Sequence, residues 1–254
     1  LPILIKANLL YKPFKLIYSD TESGVKSHNI SATSLTTDKK DYKVTGEVED
    51  NVGNKKTCSV TVSRDTTKPT VTTSVANADT WKNTNKTVTI NLNDNVSGVG
   101  KYYVGTASSC SGVTYTSISN SNTTYKITPS YDNGTYRVCV IDNAGHEYTN
   151  TFTVSKIDKI APSCGSTWSG QNTTWKKGAV TITNTPTDSG GSGVANSFTQ
   201  TFSSGTMKTT NVSYTAKDNA GNTKTCTATV NVYVDYDAPS CGTSWGGQST
   251  SWTA

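Results

Sequence analysis

The sequence predicts an all-β protein built as tandem β-sandwich modules, and three observations carry that expectation. An Asp-Asn-x-Gly turn recurs at Asp50-Asn51-Val52-Gly53, Asp142-Asn143-Ala144-Gly145 and Asp218-Asn219-Ala220-Gly221. Each copy is followed by an alternating strand-like stretch and an Asp-x-x-x-Pro, at Asp65 to Pro69, Asp158 to Pro162 and Asp235 to Pro239. Ordered recurrence over a long unit marks an array of like modules. The composition agrees: 33% hydrophobic, 16% charged, 20 glycines and a single Met, with abundant Thr, Ser and Asn, the profile of short strands and turns.

Further landmarks order each unit. Trp81-Lys82 precedes Val88-Thr89-Ile90, as Trp175-Lys176 precedes Val180-Thr181-Ile182. A Ser-Gly-Val follows an Asp three times, at Asp20 with Ser23-Gly24-Val25, Asp94 with Ser97-Gly98-Val99 and Asp188 with Ser192-Gly193-Val194. On this frame residues 1–66 form an incomplete module, 67–159 a full second, 160–236 a full third and 237–254 the start of a fourth, with Trp252 in its Trp slot. The chain reads as an excerpt of a longer array.

Period-two alternation fixes the buried faces. Tyr42, Val44 and Val48, then Tyr136, Val138 and Val140, then Val212, Tyr214 and Ala216 alternate ahead of the turns. Cys58, Val60 and Val62 and Cys226, Ala228, Val230 and Val232 alternate after them. Each turn is therefore expected to join the last two strands as a hairpin, because Asp and Asn before Gly tolerate left-handed backbone and bond their own turn. Asp132-Asn133-Gly134 reads as a further hairpin turn of this kind. No helical periodicity outlasts a turn, so each full module is expected to be a sandwich of about seven strands.

The six cysteines suggest an oxidising compartment. Cys58 and Cys226 each follow the turn Asp by eight residues; Cys164 and Cys241 precede Trp175 and Trp252 by eleven. The second unit has Asn150 and Thr70 at those positions, so presence and absence are coupled. This predicts a Cys164–Cys226 bridge, with the partner of Cys58 upstream of Leu1 and that of Cys241 beyond Ala254. The second unit instead offers Cys110 and Cys139, with Cys139 expected to point outward. Each bridge would contribute roughly 3 to 4 kcal/mol by the loop-entropy relation.

The alternating strand ending in Asp218-Asn219-Ala220-Gly221-Asn222, followed by a strand and Asp-x-x-x-Pro, resembles the bacterial immunoglobulin-like repeats found in tandem in large surface and secreted proteins. The likeness covers all three units, though the first 18 or so residues fit poorly, and the paired Cys with central Trp of antibody domains is absent. The resemblance implies a cell-surface or secreted stalk, adhesin-like, acting as spacer and binding surface. Its partners would be neighbouring modules of the same chain and an extracellular ligand or glycan. A carbohydrate- or host-ligand-binding module and a phage fibre or decoration domain are the alternatives.

Candidate sites are few. Some bacterial surface modules place cations at domain junctions, where Asp65, Asp158, Asp235 and Asp237 sit, and calcium wants six or more oxygens; Asp50, Asp142 and Asp218 are further donors. Otherwise no cofactor is expected. Trp168, Trp175, Trp245 and Trp252 recur in the two copies of Cys-Gly, Trp, Gly-Gln, Trp, and Trp168 and Trp245 are the candidate glycan platforms, against a packing role at the module junctions. An enzyme is not expected: His28 and His146 are the only histidines, His146 replaces the Asn that ends a repeated turn, and no nucleophile elbow or phosphate loop appears. A net charge of +5 without a basic block gives no signal for nucleic acid. No apolar run is long enough to span a membrane, and Leu1-Pro2-Ile3-Leu4-Ile5 does not read as a signal peptide as it stands.

Overall fold

The computed structural model describes residues 4–6, 14–119 and 123–243; of residues 4–6 only the backbone is considered. Trp245 and Trp252, and with them most of the expected start of a fourth module, lie outside the described residues. All regular structure in the described residues is β.

The first repeat holds β1 (Leu4–Lys6), β2 (Lys15–Ile17), β3 (Val25–Ile30), β4 (Lys39–Asp50) and β5 (Lys55–Arg64). The second holds β6 (Thr70–Val75), β7 (Lys86–Asn93), β8 (Val99–Gly105), β9 (Thr116–Ser117), β10 (Thr124–Ile127), β11 (Ser130–Tyr131), β12 (Gly134–Asp142) and β13 (Glu147–Val154). The third holds β14 (Trp168–Ser169), β15 (Val180–Asn184), β16 (Phe198–Phe202), β17 (Thr206–Lys217) and β18 (Thr223–Asp235).

Strands β3, β4 and β5 form one antiparallel sheet and β1 pairs with β2. In the second repeat β7 is flanked by β6 and by β10 and β11, while β13, β12, β8 and β9 make the opposing sheet. In the third, β14, β15 and β16 face the β17–β18 pair. Two antiparallel sheets closing on one apolar layer is the sandwich the alternation requires, since each sheet has one face to bury.

Those faces are the expected ones. Val44 and Val62 centre the first core, joined by half-buried Phe14, Leu16 and Tyr42. Val88, Ile90 and Leu92 of β7 and Val138 and Val140 of β12 are wholly buried. Val180, Ile182, Val212, Val230, Val232 and Val234 form the third core. Asp-Asn-x-Gly joins β4 to β5, β12 to β13 and β17 to β18 as hairpins in all three repeats. Gly53, Gly145 and Gly221 take φ of +94°, +99° and +99°, a backbone that a side chain would strain.

Asp132-Asn133-Gly134 departs from expectation: it is not a hairpin. Strand β11 before it pairs with β7 and β12 after it pairs with β13 and β8, so the turn carries the chain from one sheet to the other. Turn chemistry alone does not say which strands a corner joins, and here the flanking strands bury their faces from opposite sides of the sandwich.

The chain divides into two compact units, Leu1–Ala78 with Asn85–Ser155, and Asp79–Thr84 with Lys156–Ala254. The excised segment carries Trp81-Lys82, and Lys82 bridges Ile157 in parallel, with Lys82 N–H donating to Lys156 O at 3.0 Å and Asp158 N–H to Lys82 O at 2.8 Å. The second Trp-Lys pair repeats this: Lys176 N–H donates to Tyr233 O at 3.0 Å and Asp235 N–H to Lys176 O at 2.9 Å. Lys156 and Tyr233, at matching positions, both have positive φ, 59° and 31°. A Trp-Lys pair thus docks beside the end of a last strand just before Asp158 and again just before Asp235.

Both predicted bridges are present, Cys110–Cys139 and Cys164–Cys226, with Cα–Cα distances of 5.8 and 5.6 Å. Cys58 and Cys241 are free. Cys139 is fully buried. It does face away from the sandwich core, but the loop bearing Cys110 folds over that outer face, held also by Arg137 Nε–H donating to Ala107 O at 3.2 Å.

Candidate sites at the repeated turns and in a tyrosine cleft

The repeated motifs fold onto one another. Asn51 N–H donates to Gly24 O at 3.1 Å, Asn143 N–H to Gly98 O at 3.0 Å and Asn219 N–H to Gly193 O at 2.9 Å. The same three side chains donate from Nδ2 to Ser23 O at 2.8 Å, Ser97 O at 2.9 Å and Ser192 O at 2.8 Å. The final hairpin turn therefore clamps the Ser-Gly-Val loop in every repeat, which explains why the two motifs travel together.

Each turn Asp closes its own turn. Asp50 Oδ1 accepts Asn54 N–H at 2.8 Å, Asp142 Oδ1 accepts His146 N–H at 2.8 Å and Asp218 Oδ1 accepts Asn222 N–H at 2.8 Å. The Asn54 side chain donates to Asp50 Oδ2 at 2.8 Å and Asn222 to Asp218 Oδ2 at 2.7 Å. That hydrogen bond holds the Asp50 carboxyl below the ordinary carboxylate range, ahead of the opposing effect of burial.

The junction Asp residues bind forward. Asp65 Oδ2 accepts Ser97 N–H at 3.0 Å and its Oδ1 accepts Thr67 N–H at 3.0 Å. Asp158 repeats this with Ser192 N–H at 3.1 Å and Ile160 N–H at 2.9 Å. Burial pushes both carboxyls up, but hydrogen bonds from Ser97 and Thr67, and from Ser192 and Ile160, outweigh it and leave both below the usual value.

Of the four metal candidates, two meet other acids. Asp158 lies with Asp188 and Asp218, and Asp65 with Asp142 and His146, each set offering one donor atom per residue within 4.8 Å of the others. In the Asp158 set every carboxylate oxygen already accepts an N–H or O–H: Asp188 from Gly190, Ser192 and Gly193, Asp218 from Gly221 and Asn222. Asp94, which stands where Asp188 stands, has a buried Oδ2 with no hydrogen-bond partner among the described residues. Asp235 and Asp237 sit apart from either set, both accepting the Thr206 hydroxyl.

The aromatic candidates are dispersed. Trp168 packs inside its own repeat, edge-on to Phe198 at 5.2 Å and Tyr214 at 5.9 Å between ring centres. Trp175 is 54% exposed beside Tyr233. Trp245 falls outside the described residues. His28 Nδ1 lies 2.8 Å from the Tyr18 hydroxyl, and His146 Nδ1 lies 2.9 Å from Asp142 Oδ2.

Sequence reasoning missed a cleft of about 480 Å³ in the second repeat, lined by Tyr102, Tyr103, Thr116, Ile127, Pro129 and Tyr131 among others. A signal was available. From the Ser-Gly-Val valine to the turn Asp runs 25 residues in the first repeat (Val25 to Asp50) and 24 in the third (Val194 to Asp218), but 43 in the second (Val99 to Asp142).

The chain matches no protein-family model and no curated protein sequence. Among solved structures it is similar to SGBP-B of the Bacteroides ovatus mixed-linkage glucan utilization locus, solved in complex with a mixed-linkage heptasaccharide, at 16% identity. The likeness covers 87% of this chain and 58% of that one, with a TM-score of 0.20, too low to carry an argument about either fold or ligand.

Proposed function

We propose that the chain is part of a non-enzymatic, extracellular array of immunoglobulin-like modules from a bacterial surface or secreted protein, serving as spacer and presenting a binding surface. The observation that supports this is the repeated clamp: the Asp that leaves one repeat caps the Ser-Gly-Val loop of the next, through Asp65 with Ser97 and through Asp158 with Ser192. A structure that recurs at both of these junctions serves the array, whereas a single active site has no need to recur. Two formed disulfides agree with an oxidising compartment.

Force-extension of the single chain tests the reading. One unfolding event per module is expected, and reduction should release the 62-residue span locked by Cys164–Cys226, adding about 200 Å of contour length. One event for the whole chain, with no gain on reduction, would overturn it.

A further inference from the structure

We propose that the tyrosine cleft of the second repeat binds a neutral glycan, the rings of Tyr102 and Tyr131 stacking on pyranose rings while threonine hydroxyls meet their hydroxyl groups. The inference deepens the binding-surface part of the proposed function and rests on that part alone.

Its first support is position. The repeats share their turns, junctions and final hairpins, and the second departs from the pattern by a long insertion between Val99 and Asp142. Of the lining, Thr114 and Thr116 belong to the inserted length, while Ile127, Thr128, Pro129 and Tyr131 lie at the strands after it that pair with β7. Material that the array does not need for folding is where a module-specific role resides.

The second support is rigidity. The inserted loop is tied at Cys110 to Cys139 of β12, at Ala107 to Arg137 and at Ile118 N–H to Gly100 O, 2.9 Å. Strand β9 pairs with β8, so Thr116 stands opposite Tyr102 in register. Behind the cleft Tyr131 is braced by Tyr136, 4.3 Å between ring centres, and by Phe152, 5.5 Å. Tyr102 packs against Tyr125 at 5.7 Å. A wall so fixed loses little freedom when a ligand arrives.

The third support is chemistry. The lining is tyrosine, threonine, valine, isoleucine and proline, with no charged side chain. A phosphate, carboxylate or ammonium entering it would lose water without gaining a counter-charge. A sugar offers the opposite: apolar C–H faces for aromatic rings and neutral hydroxyls for Thr114, Thr116 and Thr128, all exposed. The volume lies within the roughly 300–1,000 Å³ of small-molecule sites.

The test is calorimetric titration of the full oxidised chain with neutral tetra- to hexasaccharides of β-linked glucose, mannose and N-acetylglucosamine, with sulfated and sialylated oligosaccharides and a proline-rich peptide as comparators. A neutral oligosaccharide is expected to bind, and Tyr131→Ala to weaken it by about tenfold or more, the scale of one lost aromatic contact. Because Tyr131 also braces the core, Thr116→Arg is the second variant: it fills the cleft from an exposed position and should weaken binding as much with unchanged thermal unfolding. Trp175→Ala, in the other compact unit, should leave affinity within about twofold. Absence of binding by every neutral oligosaccharide, preference for a charged sugar or the peptide, or indifference to Thr116→Arg overturns the inference. Any of these leaves the spacer reading standing, since that is decided by force-extension.

Discussion

His146 Nδ1 meets Asp142 Oδ2 at 2.9 Å, the place where Asn54 Nδ2 meets Asp50 Oδ2 and Asn222 Nδ2 meets Asp218 Oδ2, both within 0.1 Å of 2.8 Å. The imidazole does the work of a carboxamide, which the repeat frame anticipates in the sequence and the geometry confirms. The second repeat should therefore accept the residue of its neighbours. His146→Asn is expected to change stability by less than about 0.5 kcal/mol, while His146→Ala, leaving a buried carboxylate oxygen without its donor, should cost about 1 to 2 kcal/mol in chemical denaturation. Equal loss in both variants would show that the turn does not depend on this hydrogen bond.

Acid should loosen the turns and the junctions. Asp50, Asp65 and Asp158 all have carboxyls lowered below their ordinary value of 3.8 by hydrogen bonds to the ionised form. A group whose folded pKa is depressed contributes stability that is complete above its unfolded value and lost as pH falls through the folded one. Stability is thus expected to hold as pH falls to about 5, and to decline below about 4. In hydrogen exchange followed by mass spectrometry, peptides containing Ser97 and Ser192 should lose protection first in that window, because their amides donate to Asp65 and Asp158. Asp158→Ala should bring the Ser192 peptide to the same state at neutral pH. Unchanged protection in that variant would detach the junction Asp from the loop it caps.

The two bridges should differ in strength. Cys164–Cys226 closes 62 residues and Cys110–Cys139 closes 29, so the loop-entropy relation assigns them about 4 and about 3.5 kcal/mol. The paired Cys164→Ala, Cys226→Ala variant should lose close to the first figure in chemical denaturation under oxidising conditions. In the native chain, alkylation without reductant should label Cys241, which is exposed, faster than half-buried Cys58, and label no other cysteine. Labelling of Cys110 or Cys139 in that experiment would count against the bridge that fixes the insertion.

Much of this fold could be read from the chain because its signals are local and threefold. Alternation placed Val44, Val138 and Val212 in their cores, coupled presence and absence of cysteines gave the Cys164–Cys226 pairing, and the two cysteines that the second unit carries instead gave the other. The reading went wrong where a non-local partner decides the outcome. The Asp132-Asn133-Gly134 turn is a corner because β11 and β12 find partners in opposite sheets. Trp168 is held by Phe198 and Tyr214 of its own core, a contact that spacing cannot distinguish from one at a junction. The tyrosine cleft was missed for the same reason: its walls come from strands separated by an insertion that has no counterpart in the other repeats.

Calcium is the last point that the geometry makes testable. Asp158, Asp188 and Asp218 bring three carboxylates within reach of one ion, an arrangement a hard cation favours. Yet all six of their oxygens already accept hydrogen bonds from the chain, chiefly backbone N–H groups, which offset the mutual repulsion of the acids. The expected outcome is that 5 mM EGTA and 5 mM calcium, as roughly saturating conditions, give melting temperatures within about 1 °C of each other. If calcium instead raised the melting temperature by several degrees, and Asp188→Asn abolished the rise, the trio would be a cation site and the turn would owe part of its order to a metal. The same titration on Asp94→Asn separates the two junctions, because only there does a buried carboxylate oxygen stand without a hydrogen-bond partner among the described residues.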